Sequence, residues 1–83
     1  MYRVLLEEKV HKSIAELPPA IATRIYRALA SLQQSPRPFG VLKLTDQEGY
    51  RLRIGDYRIL YEINDTEKLV TVYRIKHRKE AYR

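Results

Sequence analysis

Arg51, Arg53 and Arg58 sit at alternating positions on the two sides of a Gly55-Asp56 pair, in the run YRLRIGDYRILYEI. A second basic run, YRIKHRKEAYR, closes the chain with Arg74, Lys76, His77, Arg78, Lys79, Tyr82 and Arg83. These residue types suit the handling of a phosphodiester. A guanidinium grips a phosphate through two N–H donors at once and stabilises charge that develops on it. A histidine or tyrosine moves protons, each contributing roughly 10²–10⁴-fold to a rate. RNA carries its own nucleophile, the 2′-hydroxyl beside each phosphate. An enzyme acting on it must orient that hydroxyl, take its proton, neutralise the phosphorane and protonate the leaving 5′-oxygen. Neither a metal nor a covalent enzyme intermediate is required for this.

The elements that would position these groups follow from the same residues. Gly55-Asp56 is a two-residue hairpin signal between two alternating runs. Closing the hairpin there pairs Ile54 with Tyr57, Arg53 with Arg58, Leu52 with Ile59 and Arg51 with Leu60. Side chains alternate across a strand, so two faces result. Tyr50, Leu52, Ile54, Tyr57, Ile59 and Tyr61 form an apolar face, predicted to be the core. Arg51, Arg53, Arg58, Leu60 and Glu62 form the other. Like charges directly opposite one another destabilise a sheet, so Arg53 facing Arg58 marks this face as an anion site.

Other chemistries lack their residues. There is no cysteine, which removes disulfides and thiolate metal sites and fits a reducing compartment. The two histidines are far apart, with no metal-binding spacing, and His11 reads as a solvated surface residue. Three isolated glycines make no phosphate-cradling loop, and no serine has a nucleophile context. No metal or other cofactor is expected. Sixteen Lys and Arg against ten Asp and Glu leave a net charge of +6, in favour of a polyanion or an acidic protein as partner. The excess leans toward the C-terminal third. No apolar run approaches membrane-spanning length, and acids interrupt the N-terminal MYRVLLEEKV, so a cytoplasmic location without membrane partners is expected.

At 83 residues the chain has room for one domain, 1–83, with 45% hydrophobic residues to build its core. Tyr2–Leu6 reads as a short strand. Glu7 and Glu8 open a helix, acids being favourable at its positive end, and Val10, Ile14 and Leu17 follow helical spacing. Pro18-Pro19 stops that helix and starts a second, running to about Gln34 with Ile21, Ile25, Leu29 and Leu32 on one stripe. SPRPFG (residues 35–40) then forms a loop, and Val41–Leu44 a short extended segment. Strands are predicted at 50–55, 57–63 and 69–76. In the last, Leu69, Thr71, Tyr73 and Ile75 alternate with Val70, Val72, Arg74 and Lys76, and Arg74, Lys76 and Arg78 are expected to join the arginine face. The expectation is an α+β fold: an N-terminal strand, a helical hairpin and an antiparallel β-meander, with the helices on one sheet face.

This order, together with YRLRIGDYRILYEI and HRKEAYR, resembles the RelE-type ribonuclease toxins of the RelE/ParE toxin–antitoxin superfamily, over essentially the whole chain. The resemblance implies metal-independent endoribonuclease activity (an mRNA interferase), cutting messenger RNA in the ribosomal A site and inhibiting translation. It implies an acidic RelB-like antitoxin as partner, beside mRNA on the ribosome. Position by position, Arg58 matches the phosphate-stabilising arginine, and Arg51 and Arg53 match basic positions on the preceding strand. Arg78 matches a second catalytic arginine, and Tyr82 a tyrosine that stacks on a substrate base or orients the hydroxyl. Arg74, Lys76, Lys79 and Arg83 read as RNA-backbone contacts. The positions of Arg51 and Arg53 are lysines in the best-known bacterial member, one of them the proposed general base. Arginine, with a pKa above about 12, is a poor base. The base is thus open, and His77 is the candidate to fill the gap. Two readings compete with the nuclease: a ParE-like inhibitor of DNA gyrase without nuclease activity, and an inactive relative that only binds.

Overall fold

The computed structural model describes residues 1–79, and its element order follows the apolar patterning closely. The order is β1 (Arg3–Leu6), α1 (Glu8–Ala15), α2 (Pro19–Ser31), β2 (Leu42–Lys43), β3 (Tyr50–Ile54), β4 (Tyr57–Asn64) and β5 (Leu69–His77). The sheet runs β1-β5-β4-β3-β2. The meander β2–β5 is antiparallel, but β1 lies parallel to β5, Val4 opposite Val70 and Leu6 opposite Val72. The sheet is therefore mixed. The helical pair carries the chain from β1 at one edge to β2 at the other, and the meander then returns it to β5 beside β1.

Each helix is held by one stripe. Val10 and Ile14 of α1 are buried, with Glu8 in its first turn, while His11 is exposed. Pro19 occupies the first turn of α2, where its missing N–H has no partner to lose. Ile25 and Leu29 are buried on α2, which ends at Ser31, three residues before the predicted Gln34. Leu32 remains buried just past that end. These side chains pack with Ile54, Ile59, Tyr61, Val70 and Val72 into one core, so both helices cover the same sheet face.

The β3–β4 hairpin has the pairing expected from Gly55-Asp56: Ile54 with Tyr57, Arg53 with Arg58, Leu52 with Ile59, Arg51 with Leu60. Gly55 has a φ of +58, the positive value that a two-residue loop needs. The last strand departs from simple alternation. Its pairing with β4 slips by one residue between Leu60 and Tyr61: Leu60 faces Arg74 but Tyr61 faces Val72. Tyr73 is the extra residue of a β-bulge, and a bulge inverts parity beyond it. Val70 and Val72 therefore share the helix side with Ile75 and His77, not with Arg74 and Lys76 as strict alternation predicted. Packing decides this, because Val70 and Val72 are fully buried and Ile75 packs against the same core.

A polar latch fixes the loop after α2. Arg37 donates to both carboxylate oxygens of Asp65 (3.2 and 2.9 Å) and, through Nε, to the Tyr50 hydroxyl at 3.0 Å. Tyr2 donates to Asp65 Oδ1 at 2.6 Å, tying in the N-terminus. The Tyr61 hydroxyl reaches up from the core to the Pro36 carbonyl, 2.8 Å away. Hydrogen bonds from Arg37, then from Tyr2, hold the Asp65 carboxyl below its usual 3.8. Burial first, then the Tyr50 phenol, push the Tyr61 phenol up to about 12.

Candidate functional site: a cationic sheet face

Directly paired residues on neighbouring strands point to the same side. Arg53, Arg58 and Lys76 therefore make one row across β3, β4 and β5, on the face that the helices leave open. Arg51, Leu60 and Arg74 make the next row. The expected meeting of Arg74 and Lys76 with the hairpin arginines is what the register produces, and the bulge is its cause. Leu60 is buried on this face, at 5% exposure, rather than open to solvent. Its cross-strand neighbours are Arg51 and Arg74, whose aliphatic stems suit such cover while their heads stay in water.

The arginines differ in setting. Arg53 is exposed, and its Nε donates to the Gly55 carbonyl at 3.2 Å, folding the side chain toward the hairpin tip. Arg58 is half-buried and its Nη1 is shielded from solvent. In a site of lowered polarity a fixed positive group acts on a phosphate more strongly than in water. Arg78 follows β5 and is held at the same tip. Its backbone N–H donates to the Asp56 carbonyl (2.6 Å), and its guanidinium lies 3.9 Å from the Asp56 carboxylate. Asp56, read from sequence only as a turn residue, thus ties the segment after β5 to the hairpin.

His77 is not in the arginine row. It pairs with Tyr57 on the opposite side of the sheet, their rings edge to face at 5.0 Å. The backbone N–H of Lys79 donates to His77 Nδ1 at 3.1 Å. With that nitrogen accepting, the neutral ring carries its proton on Nε2. Lys79 is exposed just beyond. Tyr82 and Arg83 lie outside the described residues.

Tyr73, the bulge residue, has a buried hydroxyl with no hydrogen-bond partner among the described residues. Burial, then the nearby Glu62 and Asp46 carboxylates, raise its phenol above the usual 10. Gly49 must be glycine beside it: a Cβ there would meet the Tyr61 carbonyl oxygen at 2.8 Å, and φ is +121. A cleft of about 590 Å³ opens nearby, lined by Arg37, Lys43, Glu48, Glu62 and Asp65 among others. Its carboxylates oppose a phosphate, so the cationic face and not this cleft is the candidate anion site. No group of three or more His, Asp or Glu able to hold a metal gathers among the described residues. No helix among them is long and apolar enough to cross a membrane.

The model of the ParE toxin of the type II toxin–antitoxin system parDE matches residues 4–82. The chain belongs to this toxin family. Among curated proteins the toxin is 30% identical to Toxin RelG of Mycobacterium tuberculosis over 84 residues, covering 99% of this chain and 97% of RelG. It is 27% identical to the putative toxin RelE1 of Methanocaldococcus jannaschii over 86 residues, covering 99% and 96%. Its fold is that of the toxin in the archaeal RelE–RelB complex of Pyrococcus horikoshii, with a TM-score of 0.82, 31% identity and 93% and 94% of the two chains covered. The isolated Escherichia coli RelE toxin shares the fold alone, at TM-score 0.79 and 23% identity over 99% and 92% of the two chains. This is a RelE-like toxin of the type II kind.

Proposed function

We propose that the toxin is a ribosome-dependent endoribonuclease that cleaves mRNA in the A site by attack of the 2′-hydroxyl on the adjacent phosphate. One observation carries the reading: the cross-strand row Arg53–Arg58–Lys76, beside Arg51 and Arg74, on a face that no helix among the described residues covers. Arg58, with its shielded Nη1, neutralises the phosphorane. Arg51 and Arg53 hold the scissile phosphate, and Arg78, tied to Asp56, closes on it from the end of β5. His77, on the helix side with Tyr57, acts from behind the row. Its Nδ1 accepts from the Lys79 backbone N–H and so positions the segment that carries Arg78. Solvent water takes the 2′-hydroxyl proton and protonates the leaving 5′-oxygen. Tyr82 stacks on a base or orients the hydroxyl. Arg74, Lys76, Lys79 and Arg83 contact the flanking backbone, with no cofactor taking part.

The match to the ParE toxin model keeps in play the alternative that the sequence resemblance implies, inhibition of DNA gyrase by binding without nuclease activity. Expression of the toxin with primer extension of a reporter mRNA, beside a plasmid supercoiling assay, separates the two. Cuts within translated codons support the nuclease. Intact mRNA with failed supercoiling rejects it for the gyrase reading, and neither effect leaves a protein that only binds.

For regulation we propose an acidic RelB-like antitoxin. The net charge of +6 and the open arginine face support it, as do the solved RelE–RelB complexes of P. horikoshii and M. jannaschii. Charge complementarity speeds such an encounter and makes it weaken with salt. A titration at low and high salt tests this; a basic neighbouring gene product that fails to bind refutes it.

A further inference from the structure

The hairpin tip draws a cation from the helical layer as well as from the sheet. Arg24 of α2 is exposed, and its Nη1 lies 3.5 Å from the point where a Cβ on Gly55 would stand. Arg53 Nε bonds the carbonyl of the same glycine from the open face. Arg78 is held to Asp56, the next residue, by its backbone N–H and its guanidinium. Arg58 and Lys76 stand in cross-strand register with Arg53. Asp56 is the one carboxylate in the turn itself, and the ion pairs among the described residues set it against Arg78, not Arg24. Two guanidinium groups converging on one residue repel each other unless an anion lies between or beside them.

We propose that Arg24, with the Gly55-Asp56 turn, forms a second phosphate subsite, which binds an RNA phosphate flanking the one held by Arg58. The inference rests on the nuclease reading and extends it. A single-stranded substrate is a chain of phosphates, so a strand crossing the open face must continue past one end of the Arg53–Arg58–Lys76 row. At the hairpin tip its next phosphate meets Arg24. Gly55 suits the place for a second reason: lacking a side chain, it lets the RNA backbone approach the turn closely. Arg24 touches no reacting atom in this arrangement. It binds substrate equally before and during the reaction, so its loss raises KM and leaves kcat unchanged.

The test uses the full-length toxin and a fluorescein-labelled 2′-O-methyl oligouridylate, which lacks the nucleophile and separates binding from chemistry. Affinity is measured across a salt series for wild type, Arg24→Ala, Arg24→Lys and Arg3→Ala. The last removes the same charge from β1, at the other edge of the sheet. Arg24→Ala is expected to bind about three- to tenfold more weakly at low salt, with its salt slope smaller by roughly 0.7. Arg24→Lys restores most of the affinity, and Arg3→Ala stays within about twofold of wild type. In ribosome cleavage assays Arg24→Ala raises KM by a similar factor at unchanged kcat. Equal affinity and slope for Arg24→Ala and wild type, with wild type still cleaving mRNA, overturns the subsite alone. An equal loss in Arg3→Ala overturns it in favour of net charge, and a loss of antitoxin affinity without loss of RNA affinity does so in favour of an acidic protein contact. A wild type that neither binds the oligonucleotide nor cleaves mRNA overturns the nuclease reading and the subsite together.

Discussion

Arg37 and Arg58 are the same residue type put to opposite uses at two regions of one sheet. Arg37, in the loop after α2, is satisfied within the protein by both oxygens of Asp65, the Tyr50 hydroxyl and the face of the Tyr50 ring, 5.3 Å away. Arg58 stands in a row with Arg53 and Lys76, each of the same sign. The first arrangement fastens the N-terminus, a loop and the β4–β5 turn together. The second sets three cations across neighbouring strands, where like charges oppose pairing. An arginine bonded to a carboxylate fastens structure, whereas cations set across from one another on neighbouring strands gather positive charge on one face.

That contrast breaks most readily at Arg58. Arg58→Ala is predicted to reduce mRNA cleavage about a hundredfold, on the order of 3 kcal/mol of transition-state stabilisation. Thermal unfolding followed alongside should change little; equal cleavage by a folded variant would remove Arg58 from the mechanism. At the latch the effect runs the other way. Tyr61→Phe leaves the Pro36 carbonyl without its donor and should destabilise the fold by about 1 kcal/mol, lowering Tm by about 4–8 °C. Cleavage per folded molecule is expected to hold, as primer extension below the transition would show.

A smaller effect sharpens the comparison most. Arg53→Thr removes a like-charge pair and introduces a good strand former, so it should stabilise the fold by roughly 0.2–1 kcal/mol while weakening cleavage. Denaturant unfolding checks the sign: a loss of stability would mean that Arg53 is paired for structure, as Arg37 is.

Acid and alkali probe the latch with the least perturbation. The Asp65 carboxyl titrates lower folded than unfolded, so its contribution is complete above its unfolded value near 3.8 and fades as pH falls below it. The Tyr61 phenol titrates higher folded, near 12 against 10 unfolded, so its contribution is complete below pH 10 and fades as pH rises toward 12. Asp65→Asn should flatten the acid limb of a stability–pH curve and Tyr61→Phe the alkaline limb. Unchanged limbs would show that other groups govern them.

Much of this was legible in the residues because the signals are local. Gly55-Asp56 determines the hairpin register, and the register alone sorts Arg51, Arg53 and Arg58 from Leu52, Ile54 and Ile59. Pro18-Pro19 determines where one helix stops and the next begins. The latch was not legible. Tyr2, Arg37, Tyr50 and Asp65 are scattered along the chain, and no short-range pattern brings them together. His77 shows the same limit: its type suggested a place in the site, but its side of the sheet depends on a bulge several residues earlier.

By itself, then, the chain determined its element order, its two-faced hairpin and the excess of arginine on one face, because turn chemistry and strand alternation act between neighbours. Only the tertiary structure decided the parallel docking of β1 on β5, the bulge at Tyr73 and the approach of Arg24 to Gly55. These depend on what is buried against what. Val70 and Val72 must face the helices, and so must Ile75 beyond them. The strand meets both demands only by inserting one residue, and that insertion turns Arg74 and Lys76 to the arginine side and His77 away from it.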